Sequence, residues 1–264
     1  MVKWLLTYEL KIKFSAPVTD HHFSLRCLPL ERSCQNVKSM QLIMTPDAPI
    51  SFGTDGYGNR YAWGTVREAH EDFIFRVVSE VECHEAYLEE TKSEHSISQF
   101  RSQTKLTTMS PAMLDFLQKL NLDQYQDAET KLDELNKAVW GHIIYTPGST
   151  NVKTTAEEAF DECKGVCQDY AHVLLALLRH EGYLARYVAG AIVGEGESHA
   201  WVEVLLNGRW IPLDPTHCRR GNEYYIAFAV GRDATETNLS KGVFNGFVTQ
   251  KQEVVVKMEA IDND

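Results

Sequence analysis

Near residue 109 the hydrophobic repeat of this chain changes from a period of two to a helical period, and that change splits it into a β part and an α+β part. Before the change, residues 72–83 are the clearest strand. Phe73, Phe75, Val77, Val81 and Cys83 alternate with Arg76, Glu80 and Glu82, so one face is dry and the other wet. Turn-forming runs, Pro46-Asp47-Ala48-Pro49 and Gly53-Thr54-Asp55-Gly56-Tyr57-Gly58-Asn59, punctuate further short strands. A β-sandwich over residues 1–88 is the expected result. Residues 89–108, polar, glycine-free and opening with Glu89-Glu90-Thr91-Lys92-Ser93-Glu94, are expected to be a linker.

After it, residues 109–264 are expected to form a second domain with helices first and an antiparallel sheet afterwards, an α+β arrangement. Ser110 followed by Pro111 is an N-cap with proline at the first helical position, ahead of Met113, Phe116, Leu117 and Leu120. A second helix is expected over about 127–142, and Thr155 with Glu158 forms a capping-box pattern for a third. The fourth carries the stripe Val166, Tyr170, Val173, Leu174, Leu177 and Leu178, with Gly182 placed to end it. Strands are expected at about 184–193, 199–206, 209–214, 222–230 and 252–259.

Charge and cysteine usage narrow the function. A net charge of −11 argues against a nucleic-acid partner. No apolar run is long enough to span a membrane. Lys3 and Trp4-Leu5-Leu6 begin like a signal peptide, but the run stops at Thr7-Tyr8-Glu9, so a cytoplasmic protein is expected. The cysteines, at 27, 34, 83, 163, 167 and 218, show no CxxC pair. Cys163 and Cys167 lie four apart, and a zinc set of Cys163, Cys167, His199 and Cys218 is an alternative reading; no metal or cofactor is expected. His21-His22 reads as surface and Arg219-Arg220 as a solvated turn.

Cys167 falls in the first turn of the most apolar helix, just after Gly165. Free N–H groups and the positive end of the helix dipole there favour a thiolate, and glycine lets a substrate carbonyl approach an oxyanion donor, the Cys167 N–H. The plain alternative is a buried structural cysteine. Downstream, Asn207-Gly208 is a strong hairpin signal. With those two residues as the loop, Leu206 faces Arg209 and Asp214 faces Trp201, on the same face as His199 and diagonal to it. Ala200, Val202, Val204 and Leu206 then take the core face. Pro212 cannot donate to a ladder, and a bulge there would upset this parity. A nucleophilic thiol, a base and a group that orients the base are the elements of covalent catalysis.

Gly165-Val166-Cys167-Gln168-Asp169-Tyr170-Ala171-His172 resembles the nucleophile segment of bacterial transglutaminase-like enzymes. Ser198-His199-Ala200-Trp201-Val202-Glu203-Val204 and Leu213-Asp214-Pro215-Thr216 resemble their histidine and aspartate segments. Tyr145-Thr146-Pro147-Gly148, Val230-Gly231-Arg232-Asp233 and the Asp55–Asn59 turn are similar too, so the resemblance covers nearly the whole chain. It implies a papain-like, transglutaminase-like core behind an N-terminal β-domain, with nucleophile Cys167, base His199 and orienting Asp214. A second oxyanion donor is sought among Trp140 and Tyr145, and Trp201 is expected to line the substrate channel. The implied reaction is thiol acyl transfer on a peptide, protein or small amide, with hydrolysis favoured over transfer to an amine. The competing reading is a non-catalytic peptide-binding module; the presence of all three triad residues speaks for the enzyme.

Overall fold

The computed structural model describes residues 1–261 except Ala86, Tyr87, Thr91 and Ser93, and describes the backbone but not the side chains of Glu94 and His95. Thr91 and Ser93 of the expected linker thus lie outside the described residues.

The first strand, Val2–Leu25, organises the β part. Trp4, Leu6, Tyr8, Leu10, Ile12 and Phe14 alternate into the core along its first half. That half pairs antiparallel with His70–Cys83 on one side and with Gln250–Ala260 on the other. Its second half pairs with Arg60–Val66 and Ser240–Asn245. With Gln35–Thr45, Ile50–Thr54 and Gly194–Gly196 these strands make one eight-stranded sheet. The expected sandwich is therefore completed from the far end of the chain. The strand expected at 252–259 exists, but it belongs to this first sheet and not to the second domain.

The second sheet has six strands. Arg219–Arg220, Arg209–Asp214, His199–Leu206, Ala185–Ile192 and Tyr225–Gly231 lie side by side in that order, and Leu88–Glu89 pairs with Arg209–Asp214. One face of this sheet receives the helix Cys167–His180. Val173, Leu174 and Leu177 pack there with Val202, Val204, Ile211 and Leu213 in one buried cluster. Gly182, at φ +84°, ends the helix as expected. Tyr183 N–H then reaches Leu178 O at 3.0 Å and Gly182 N–H reaches Arg179 O at 3.1 Å, a Schellman closure. The other caps also form: Ser110 Oγ accepts from Met113 N–H at 3.3 Å, and Thr155 and Glu158 cap reciprocally.

The two sheets do not pack separately. Ala191, Ile226 and Phe228 of the second sheet lie in the same buried cluster as Leu6, Tyr8 and Phe75 of the first. Phe228 meets Tyr8 edge-on, ring centroids 5.9 Å apart. Arg32 Nη1 lies 2.6 Å from Glu203 Oε1, and Arg186 Nε donates to the other oxygen of Glu203 at 2.8 Å. The Asp55–Asn59 turn reaches across as well, with Asn59 bonding both backbone groups of Val230.

The linker expectation is also corrected. Ile97 and Phe100 are buried against Leu184 and Trp210. Arg179 donates to Phe100 O at 3.1 Å and to Thr107 Oγ1 at 2.9 Å. A few apolar residues set in a polar run suffice to anchor the segment, because each full burial contributes about 1.5–3 kcal/mol.

Candidate active site

Asn207 and Gly208 both take left-handed backbone, φ +51° and +77°, which closes a two-residue turn. Leu206 faces Arg209, Val204 faces Ile211 and Val202 faces Leu213, the register expected from that turn. Pro212 faces Glu203 without shifting the ladder. His199 and Asp214 consequently meet: Nε2 of the ring is 2.9 Å from Oδ2 of the carboxylate. Both are buried, at 7% and 0% exposure, so this face of the hairpin is covered instead of solvated.

Asp214 holds more than one partner. Oδ2 also accepts from His217 Nδ1 at 2.8 Å and from the Tyr225 hydroxyl at 2.7 Å. Oδ1 accepts the backbone N–H groups of Thr216 at 3.0 Å and His217 at 3.2 Å. Burial raises this carboxyl, but the hydrogen bonds from His199, His217 and Tyr225 outweigh it and hold the group far below the usual carboxylate range. Tyr225 is pushed up by its own burial and then by the Asp214 charge, so it stays a phenol and a donor. Arg219 completes the chain, with Nε donating to the Tyr225 hydroxyl at 2.7 Å. The expected solvated turn is a short strand, Arg219–Arg220, in which Arg219 stays exposed while Arg220 pairs with Glu129 and Asp133.

Cys167 opens its helix at the floor of a cleft of about 920 Å³ that His199, Thr216 and His217 also line. The hydrogen bonds of His199 and Asp214 do not extend to Cys167 Sγ among the described residues. Burial pushes the thiol up to about 11, against a smaller downward pull from the Ala200 and Gln168 backbone N–H groups. The helix terminus alone therefore does not yield the low-pKa thiolate expected from the sequence. A thiolate at this position would need a neighbouring cation.

Asp169 anchors the start of this helix. Its Oδ2 accepts Val166 N–H at 2.7 Å and the Thr150 hydroxyl at 2.6 Å. Gly165 lies directly beneath it: a Cβ on Gly165 would sit 2.6 Å from Asp169 Cβ. Glycine is required there for that packing, and Gly165, expected to let a substrate carbonyl approach, is buried and not among the cleft-lining residues.

The aromatic candidates separate. Tyr145 is half-exposed and lines the cleft. Trp140 is equally exposed but is not among the cleft-lining residues, so the structure does not bring it to the site. Trp201 is buried and does not line the channel either. It lies stacked beside His199, ring centroids 6.3 Å apart, and fits because Gly190 has no side chain to fill that space. The four residues of the zinc alternative are not gathered. Cys163 Sγ lies 3.6 Å from His142 Nε2, and the one group of three donors among the described residues is His199, Asp214 and His217. His21, expected at the surface, is buried with its Nδ1 3.3 Å from His70 Nε2.

His217, Tyr225, Arg219 and Asp169 were not singled out from the sequence as site residues. His217, three residues past Asp214, and Asp169, at the third helical position, were within reach of local reasoning. Tyr225 and Arg219 depend on which strands lie side by side.

A model of the transglutaminase-like superfamily matches residues 118–215, and one of the bacterial transglutaminase-like N-terminal region matches residues 5–82. The uncharacterised protein ML0607 of Mycobacterium leprae is 30% identical over 274 residues, spanning 93% of this chain and 94% of its own. The uncharacterised protein Rv2569c of Mycobacterium tuberculosis is 24% identical over 273 residues, spanning 91% and 87%. Among solved structures, that of a candidate cysteine protease from Cytophaga hutchinsonii superposes with a TM-score of 0.81 at 21% identity, covering 100% of this chain and 92% of that one. This last likeness is one of fold. No helix among the described residues is long and apolar enough to cross a membrane.

Proposed function

Because the chain belongs to the transglutaminase-like superfamily and carries its bacterial N-terminal region, we propose that Cys167, His199 and Asp214 act as a triad for thiol acyl transfer. The observation that carries this reading is the buried His199–Asp214 hydrogen bond at 2.9 Å, in a ring whose other nitrogen belongs to a residue lining the same cleft as Cys167. Asp214, ionised and fully buried, accepts a hydrogen bond from Nε2–H and leaves Nδ1 as the base.

In this mechanism the Cys167 proton passes to His199 Nδ1, giving a thiolate–imidazolium pair. The thiolate attacks an amide carbonyl, forming a C–S bond, and the tetrahedral oxyanion is met by the Cys167 N–H. His199 then returns its proton to the leaving amine as the C–N bond breaks. Water, deprotonated by His199, resolves the thioester and releases the acid. Tyr145, at the rim, is the candidate for a second oxyanion donor. We favour water over an amine as acceptor because exposed residues such as Val152, Glu195 and Gly196 line the cleft and leave it open to solvent. The substrates are peptides, proteins or small amides, and the setting is the reducing cytoplasm, where the thiol persists.

The test is a peptide amide incubated with the protein, with and without a primary amine, and read by mass spectrometry. The expected product is the free acid in both cases, lost in Cys167→Ala. A purely amine-linked product would make the protein a transglutaminase. No product, with Cys167 unreactive to iodoacetamide, would leave a binding module.

A further inference from the structure

The strand Gly194–Gly196 sits at one end of the large sheet. It pairs with Gln250–Ala260 on one side, Gly194 facing Met258, Glu195 facing Lys257 and Gly196 facing Val256. Its other edge has no strand partner among the described residues. All three residues are exposed, and together with Val193, Glu197 and Ser198 they form one wall of the Cys167 cleft. Residues of the 145–152 segment line the same cleft, with Tyr145 and Val152 as exposed apolar surface.

Edge strands in soluble proteins are usually blunted by lysine, proline or a bulge. This one is Gly-Glu-Gly. Nothing lies within 4 Å of the place a Cβ would occupy on Gly194 or Gly196, so the backbone there is bare to a second chain. The cleft lining is acidic too: Glu195 and Glu197 line it, and among the described residues no lysine or arginine does, the nearest cross-strand cation being Lys257 opposite Glu195.

We propose that Gly194–Gly196 is the docking edge for substrate: an extended polypeptide segment adds to it as a further strand, setting a carbonyl against Cys167 and a lysine or arginine side chain against Glu195 and Glu197. This names a substrate class for the site and rests on the acyl-transfer reading. Main-chain hydrogen bonds supply affinity in such strand addition, and the flanking side chains supply choice. A small amide without an extended backbone is a poor substrate on these terms. So is an acidic segment, which would place like charges together.

The test separates docking from chemistry by using Cys167→Ala. End-capped fluorescein octapeptide pools, one with lysine fixed at the central positions and one with glutamate, are titrated and followed by anisotropy. A third pool repeats the lysine set with alternate backbone amides N-methylated. The lysine pool should bind about tenfold tighter than the glutamate pool, the scale of one good charge contact. N-methylation should abolish binding, and Glu195→Gln with Glu197→Gln should reduce the lysine preference to about twofold or less. Hydrogen exchange should slow at the amides of 194–196 when the lysine pool is added. Equal binding of the methylated pool, protection elsewhere with none at 194–196, or no binding of any pool would overturn the proposal. Iodoacetamide labelling of Cys167 in the wild-type protein reports on the acyl-transfer reading independently.

Discussion

His199 Nε2 lies 2.9 Å from Asp214 Oδ2, so only Nδ1 of that ring is left to receive a proton from a thiol. The consequence for Asp214→Asn follows from the other oxygen. Two backbone N–H groups, of Thr216 and His217, hold the Oδ1 side, and they will keep the amide oxygen there. The amide NH₂ is then turned toward His199, His217 and Tyr225, all of which were donating. His199 must accept at Nε2 and carry its proton on Nδ1, the wrong nitrogen for a base. Turnover should fall by about 10³–10⁴-fold, the scale of a wrong tautomer in a triad. Tyr225→Phe removes one donor without reversing any other, and should cost about tenfold, as for one hydrogen bond to a charged group. Steady-state kinetics on a peptide amide checks both.

The thiol gives a prediction with a definite sign. Burial, with smaller contributions from the Asp214 and Asp169 charges, pushes Cys167 up to about 11, and a neighbouring imidazolium lowers it. In wild-type protein, alkylation of Cys167 should therefore already be fast at neutral pH. In His199→Ala the cation is gone, and the alkylation rate should rise with pH toward a midpoint near 11. Iodoacetamide rates across pH, with mapping of the modified cysteine, measure this directly. Equal profiles for the two proteins would mean that His199 does not charge the thiol.

Gly165→Ala should damage the site without touching a triad residue. The added methyl would meet Asp169 Cβ at 2.6 Å, displacing the side chain that caps the first turn behind Cys167. Overpacking of this kind costs about 1–3 kcal/mol. Urea unfolding should show a loss in that range, together with slower alkylation of Cys167 at fixed pH.

Acid should weaken the fold through two buried histidines. Burial lowers His21 to about 4, helped by the nearby His70 and His22, and burial lowers His172 to about 4 as well. Below its ordinary value of 6.5 the unfolded chain binds protons that the folded chain refuses. Stability should thus be full above that pH and be lost as pH falls toward 4, by of order 3 kcal/mol for each residue. Urea midpoints measured between these limits should fall steadily. His21→Phe, which keeps the aromatic packing against Phe14 and Phe73, should flatten part of that slope.

What the sequence disclosed was local. The turn at Asn207-Gly208 sets the parity of a short hairpin, and parity alone brings His199 to Asp214. The caps at Ser110 and Thr155 are likewise written within four residues. What stayed hidden required knowing which distant segments meet. Tyr225 and Arg219 enter the site only because of where their strands lie in the sheet, and Trp201 turns away from the cleft because Gly190 opens a slot for it. The burial of His21 depends on His70 and Phe244, and that of Ile97 and Phe100 on Trp210. Periodicity names the dry face of a strand, but not the strand that will cover it.

The pairing of Val2–Leu25 with Gln250–Ala260 also has a bearing on biosynthesis. Some 225 residues of synthesis, from Leu25 to Gln250, separate the first strand from the strand that will close its open edge. At about 5–20 residues per second the wait is roughly ten to fifty seconds. Through that interval a nascent chain carries an apolar strand, Trp4 to Phe14, with one side unpaired. The first sheet cannot close until Gln250–Ala260 has been made, so the yield in the cell should respond to chaperone supply more than the final stability would suggest.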